Sequence, residues 1–371
     1  MIPITQEREV RTGHPYYMYD AIHSQPQAIE DMLRKHGARV QEVAAELAKR
    51  RRLYIVGIGT SWHATLVAEH WFRRFSAKSL EIQACHSFEF CAYSPQLSSD
   101  DAVIVVSHRG TKTYSFQALE LARAAGAYTV SITSTEPGPR IQVAEVVLNT
   151  VEPERSAAYT VSYTTALVVL GMLATAVGNW SDASEELPVL RAQLEEVPQS
   201  LTQVLVNQSK AQQAARRFQS KGRFVSVGWG PNTANAYEVA LKIKETSAVD
   251  SEGLQVEQIL HGPFCSIGEK CLITLVAPPG PGYERALNIA RASIEVGAPV
   301  WALVQEGDTL LSDLATEAFF MPSISDFWSP LIYVLPLQLF TYYLALARGA
   351  HPDLFQQDNA RQAAARQHYE L

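Results

Sequence analysis

Three residues of one segment have the types and the spacing that proton-transfer chemistry needs. In Tyr237 to Pro263, YEVALKIKETSAVDSEGLQVEQILHGP, Glu238, Lys242 and Glu245 recur four and three residues apart, which puts all three on one face of a helix. Sixteen residues beyond Glu245 stands His261, immediately before Gly262-Pro263, a pair that ends regular structure and holds the imidazole on a constrained loop. A carboxylate, an ammonium and an imidazole could therefore converge on a small anionic substrate. The competing expectation is an exposed ion-pair face, worth only about 0.3 to 0.5 kcal/mol per pair.

Other stretches have the makings of an anion site. A phosphate needs close backbone approach together with N–H and O–H donors. Gly57-Ile58-Gly59-Thr60-Ser61 and Ser107-His108-Arg109-Gly110-Thr111-Lys112-Thr113 each follow a β-branched run and open a helical pattern, so both are Gly turns with small hydroxyls at a helix N-terminus. Neither is a P-loop, because the Gly-x4-Gly-Lys-Ser/Thr spacing is missing, and neither is a Gly-x-Gly-x-x-Gly dinucleotide fingerprint. A third stretch, Glu152 to Thr165 (EPERSAAYTVSYTT), is rich in hydroxyls, with Glu154 either facing a ligand or capping the apolar helix that follows. His63 and His70 lie seven apart without a Glu-x-x-His, which favours packing histidines over a metal site. No metal and no cofactor is expected.

The elements that must position these residues occur twice. The first copy runs LYIVGIG (53 to 59), a helix from TSWHATLVAEHWF, VIVVSHRG (103 to 110), a helix around Ser115 to Ala125, AYTVSIT (127 to 133), EVVLNT (145 to 150) and the apolar helix after Val161. The second runs RFVSVGWG (223 to 230), the helix Ala234 to Glu245, CLITLVAP (271 to 278), the helix Glu284 to Val296, PVWALVQ (299 to 305), EAFFMP (317 to 322) and the helix after Pro330. Like elements stay about 170 residues apart, which predicts two tandem α/β units of one topology, each a parallel sheet with helices on both faces in three α/β/α layers. The expected division is an N-terminal arm and helix over 1–50, a first unit over 51–180, a helical linker over 181–221, a second unit over 222–350 and a polar tail over 351–371.

Composition narrows the function classes. A chain of 371 residues that is 47% hydrophobic can bury a large core, and a net charge of -7 argues against a general nucleic-acid footprint. Arg50-Arg51-Arg52, the single basic cluster, reads as a solvated helix C-terminus. Cys85, Cys91, Cys265 and Cys271 match no zinc or redox spacing and are expected to be reduced, mostly buried hydrophobes. The first residues, MIPITQEREVRTGHP, are charged early and lack an apolar run, so a cytoplasmic location is expected. Val161 to Gly178 and Leu331 to Ala347 are apolar but short for a span and carry Ser, Thr, Tyr or Pro, so they are expected to be buried helices, with no membrane partner.

These residues carry a resemblance. MYDAIHSQPQAI (18 to 29), GTSWHA (59 to 64), FEF (88 to 90), SHRG (107 to 110), YTT (163 to 165), GWG (228 to 230), EVALKIKE (238 to 245), LHGP (260 to 263) and LPLQLFTYYLALARG (335 to 349) resemble the sugar isomerase (SIS) domain family, and over most of the chain the isomerase half of the glucosamine-6-phosphate synthases. The resemblance implies two SIS subdomains, aldose-ketose isomerisation, and a sugar phosphate held by Gly59, Thr60, Ser61, Ser107, His108, Arg109, Gly110, Lys112 and Thr113, with Glu154 and Ala157 nearby. By position it makes Glu245 the base between C1 and C2, Lys242 the oxyanion partner, and His261 the aid to ring opening, reaching the neighbouring subunit of a homodimer. The departures are as specific. No glutaminase segment or cysteine nucleophile precedes Met1 in the sequence, so ammonia from glutamine is not expected within this polypeptide. His108, Arg109 and Lys112 replace the family's small hydroxyl pattern, which would suit a second anionic group on the substrate; the family's lysine after the Glu154 turn is Val161, and its tail lysine aligns with Gln362, beside Arg361. The expected function is a phosphosugar isomerase or deaminase acting on a substrate such as glucosamine 6-phosphate or fructose 6-phosphate. The alternatives are deglycation of a phosphorylated sugar-amine conjugate and a non-catalytic sugar-phosphate sensor.

Overall fold

The computed structural model describes residues 9–75, 80–180 and 185–369. The start of the expected arm (1–8) and the head of the expected linker (181–184) lie outside the described residues. The chain begins with α1 (Tyr17–His23) and the long α2 (Gln25–Leu47), then runs β1 (Arg52–Gly57), α3 (Thr60–Phe75), β2 (Glu81–His86), α4 (Ser87–Ala92), β3 (Asp101–Val106), α5 (Thr113–Ala124), β4 (Tyr128–Thr133), β5 (Val146–Asn149) and α6 (Val161–Val177). After α7 (Leu187–Val206) and α8 (Gln208–Phe218) come β6 (Arg223–Gly228), α9 (Asn232–Ser247), β7 (Asp250–Gln255), β8 (Cys271–Ala277), α10 (Tyr283–Glu295), β9 (Val300–Gln305), α11 (Leu310–Leu314), β10 (Glu317–Met321), α12 (Ser329–Ala347) and α13 (Ala360–Ala365).

Two parallel five-stranded sheets result, ordered β2-β1-β3-β4-β5 and β10-β9-β8-β6-β7, the same order read from opposite ends. Strand starts pair as 52 and 223, 81 and 250, 101 and 271, 128 and 300, 146 and 317. β2 and β7 were not among the strands expected from the sequence. Both are edge strands, pairing only with β1 and with β6 respectively, and EIQACH and DSEGLQ lack the buried apolar run of a central strand.

The main core lies between the inner faces of the two sheets and takes in α2, α3, α6, α7, α8, α9 and α12. The apolar helices α6 and α12 are buried inside this layer, where their near-uniform hydrophobicity belongs. Smaller clusters cover the outer face of the first sheet under α4 and α5, and of the second under α10 and α11. Of the cysteines, only Cys271 is buried; Cys85 and Cys91 are half-buried near the β2 edge and Cys265 is exposed. The Arg50 to Arg52 cluster is likewise not a free helix end, because Arg52 starts β1 and forks both N–H groups onto Asp101 at 2.7 Å.

One long-range tie joins the ends of the fold. The amides of Tyr17 and Met18 at the start of α1 donate to the two carboxylate oxygens of Asp353, each at 2.9 Å. The Asp353 carbonyl in turn accepts the Ala157 N–H at 3.0 Å.

Candidate active site

In each sheet the chain leaves the first strand toward one edge and returns on its other side, so the switch point lies between β1 and β3 and between β6 and β8. At the first of these, β1 ends in Gly57, where a Cβ would stand 2.5 Å from the Ser61 carbonyl oxygen; glycine is what lets α3 start directly above the strand. Gly59 takes a left-handed φ of 59° and delivers Thr60 and Ser61 to the helix N-terminus. Gly110, at φ 61°, turns the neighbouring segment the same way, and a Cβ there would strike Ile141. Thr60, Ser61, His108, Tyr159 and Ser162 line a small cavity between these turns.

Against this cavity stands α9. The second sheet lets it approach closely, since a Cβ on Gly253 of β7 would lie 2.6 Å from the Ala236 carbonyl oxygen and the Tyr237 nitrogen. α9 packs on α3, and the charged face expected at Glu238, Lys242 and Glu245 points inward, not to solvent. Lys242 Nζ donates to Glu245 Oε2 at 2.6 Å and to Thr60 Oγ1 at 2.9 Å, and lies 3.3 Å from Glu238 Oε1. Glu238 accepts from Thr60 Oγ1 at 3.1 Å and lies 2.6 Å from His63 Nδ1. Two residues of the first unit, Thr60 and His63, are thus linked to the carboxylate and ammonium of the second.

Burial decides the charge states. Burial pushes the Glu245 carboxyl up, Lys242 pulls it down, Glu238 pushes it up again, and the balance is about 7. Burial works against the Lys242 ammonium, but the two adjacent carboxylates outweigh it and hold it firmly protonated. For Glu238 burial is likewise the largest influence, yet Lys242 and His63 overcome it and leave the group below the usual carboxylate range. The cluster is therefore a fixed ion pair, Glu238 with Lys242, beside a carboxyl that changes protonation near neutrality.

The other expected site residues have local duties. Glu154 is buried and accepts from the amides and hydroxyls of Thr160 and Ser162, the arrangement of a carboxylate cap at the head of α6; burial raises it and those donors oppose the rise. The Glu154 amide donates to His108 Nε2 at 3.1 Å, and Arg109 Nη2 donates to the Glu154 carbonyl at 2.7 Å, so both side chains bind the second turn to the third. Burial, then Arg109, push His108 down to about 3, which leaves the ring neutral. Lys112 precedes α5, its ammonium disfavoured first by burial and then by Arg109 and Arg366; Ser107 is buried at the end of β3, and Thr113 opens α5. Ala157 spends its amide on Asp353. His261 is outside the cluster, with 68% of its side chain exposed and Nε2 3.1 Å from Glu257, on the turn that Gly262 makes at φ 114°.

Two participants were not expected from the sequence: His63, read there as a packing histidine, bonds Glu238, and Arg366 was not singled out. His63 sits one helical turn after Thr60, a three-residue spacing that places both on one face, and that spacing was the available signal. Arg366 follows α13 in the tail, donates to the Phe355 carbonyl at 2.7 Å, and its charge is felt by both Glu245 and Lys112. It lies a few residues beyond the Arg361 and Gln362 to which the resemblance points. Among the described residues there is no group of three or more His, Cys, Asp or Glu that could hold a metal ion.

Comparison with known proteins follows the same lines. Residues 46–176 match the model of the SIS domain. The glutamine–fructose-6-phosphate aminotransferases (isomerizing) of Thermococcus kodakarensis and Chlorobaculum tepidum are each 29% identical, over 352 and 360 residues and 94% of this chain. The chain spans 58% of the length of each of these relatives. Among solved structures, the C-terminal domain of glucosamine-fructose-6-phosphate aminotransferase from Francisella tularensis superposes with a TM-score of 0.84 at 19% identity, covering 92% of this chain and 98% of that one. Tagatose-6-phosphate ketose/aldose isomerase from Escherichia coli gives 0.75 at 19% identity, with 92% and 95% covered. These likenesses establish the fold.

Proposed function

We propose that this chain, which contains a SIS domain, is a phosphosugar isomerase or amino-sugar phosphate deaminase, acting on a substrate such as glucosamine 6-phosphate or fructose 6-phosphate. The observation that carries the reading is the buried contact of Lys242 with Glu245 at 2.6 Å, with Glu245 poised at about 7. A carboxyl near neutrality can both take and return a proton, which is what moving a hydrogen between C1 and C2 requires. The Lys242 charge favours the enediolate oxyanion that forms between the two steps. On a 2-amino aldose the same shift gives a ketose imine, whose hydrolysis takes up water and releases ammonia.

The phosphate is assigned to the switch point between β1 and β3, where the Thr60-Ser61 and Ser107 to Thr113 turns and the α3 N-terminus supply donors. His261 is assigned to ring opening in the site of a second copy, with its exposure and its glycine-governed turn in support, and the working unit is then a homodimer. The relatives in Thermococcus and Chlorobaculum are named as isomerizing enzymes of fructose 6-phosphate, which supports the substrate class. The test is incubation with glucosamine 6-phosphate, fructose 6-phosphate and a phosphorylated sugar-amine conjugate, following hexose phosphate, ammonia and free amine. Turnover that disappears in Glu245→Gln is expected; binding of these compounds without turnover would replace the enzyme by a sensor.

A further inference from the structure

We propose that His63 is a positioning residue for the proton transfer: by donating Nδ1–H to Glu238 it keeps that carboxylate as the resident anion beside Lys242, so that Glu245 is the carboxyl left to exchange a proton. The inference rests on the functional reading above and adds to it a residue of the first unit whose side chain bonds Glu238 of the second.

The geometry contains two buried carboxylates and one ammonium between them, at 3.3 Å and 2.6 Å. Left to themselves, the two would compete for one proton and for Lys242. His63 breaks the tie. Its Nδ1 lies 2.6 Å from Glu238 Oε2, while Glu238 Oε1 already accepts from Thr60. An acceptor so supplied is ionised, so the ring nitrogen facing it carries the proton and donates. Among the described residues no such donor from α3 reaches Glu245, which accepts from Lys242 Nζ at 2.6 Å. The other groups facing the cluster do not reproduce the effect. Tyr163 on α6 lies near Glu238 but directs its hydroxyl to Asn235 at 3.3 Å. Arg366 of the tail acts on Glu245, and Glu154 is taken up by Thr160 and Ser162.

Loss of the His63 donor makes Glu238 easier to protonate. A neutral Glu238 removes a negative charge from beside Glu245 and leaves Lys242 more fully to it, so both changes lower Glu245. The experiment is a carboxyl-carbon NMR titration of the full chain labelled with 13C-glutamate, with Glu245 assigned through Glu245→Gln, together with the pH profile of kcat on glucosamine 6-phosphate. His63→Leu is expected to lower the Glu245 midpoint by about one pH unit, and the acid limb of kcat moves with it. His63→Gln, which keeps a polar side chain but sets its amide beyond the Nδ1 position, gives the same shift and serves if the leucine variant does not fold. His63→Asn, whose amide nitrogen falls where Nδ1 does, retains the wild-type midpoint. An unmoved midpoint in the leucine and glutamine variants, or an asparagine variant that behaves like them, overturns the proposal. A shifted midpoint in a protein that turns over no sugar phosphate would remove the functional reading and leave the His63 role standing; normal turnover with an unmoved midpoint would do the reverse.

Discussion

The two sheets share a strand order but differ in the turns and helices they carry. Where β1 and β3 diverge, the chain offers Gly59-Thr60-Ser61 and a hydroxyl-bearing second turn; where β6 and β8 diverge it offers Gly228-Trp229-Gly230-Pro231-Asn232 and Ala277-Pro278-Pro279-Gly280-Pro281-Gly282. The backbone is alike, for Gly230 repeats the left-handed turn of Gly59 and Gly228 the close approach of Gly57. The donors are not, because proline has no N–H and Asn232 spends its amide on Ser329 at 2.7 Å. The helices invert the contrast. At the displacement that relates β1 to β6, Glu238, Lys242 and Glu245 correspond to Val67, Trp71 and Arg74 of α3, two buried apolar residues and a surface arginine paired with Glu186. One copy has hydroxyl-bearing turns and a helix filled with packing, while the other has prolines in its turns and a charged helix.

Breaking the charged helix tests this division most severely. Glu245→Gln is expected to lower kcat by about a thousandfold without lowering the melting temperature, read by steady-state kinetics and thermal unfolding. Lys242→Met strands two buried carboxylates and is expected to cost about 3 to 5 kcal/mol in urea unfolding at neutral pH. Mixing Glu245→Gln with His261→Ala under subunit exchange is expected to restore about a quarter of wild-type activity, since half the dimers then hold one complete site; no recovery would place His261 outside the chemistry of the partner copy. The contrast between turns is sharpened by a pair: Ser61→Ala raises KM several-fold, whereas Asn232→Ala, its counterpart, lowers stability by about 1 kcal/mol with KM unchanged.

The last expected effect is on stability against pH. The folded Glu245 value of about 7 lies above the ordinary 4.5, so the folded chain holds this proton more tightly than the unfolded chain does. Its contribution is complete below about pH 4.5 and is lost as pH rises through about 7; in Glu245→Gln the decline over that window flattens, as urea midpoints at several pH values would record.

The central strands were legible because both faces are covered, which leaves uninterrupted runs such as VIVV and LITLV. The edge strands β2 and β7 were not, since half their surface is polar or bare and β7 contains Gly253, present to let α9 approach. The charged face of α9 was legible as a face, but its direction was not, because spacing alone does not distinguish a solvated stripe from one buried against another helix. What turns it inward is packing between residues 175 to 182 apart in the chain, with α3 supplying Thr60 and His63 as partners. The same limit applied to Glu154 and Arg109, whose types suit a ligand but whose bonds here hold turns together.

The cap that Asp353 places on α1 also sets an order of events during synthesis. Tyr17 and Met18 wait for a carboxylate 336 and 335 residues downstream, so the first helix of the chain gains its end contacts only after both sheets have been made. The same residue fastens the Ala157 turn and starts the segment that carries Arg366 toward Glu245. A nascent chain can therefore complete the strands of both sheets before the Asp353 contacts with Tyr17, Met18 and Ala157 can form.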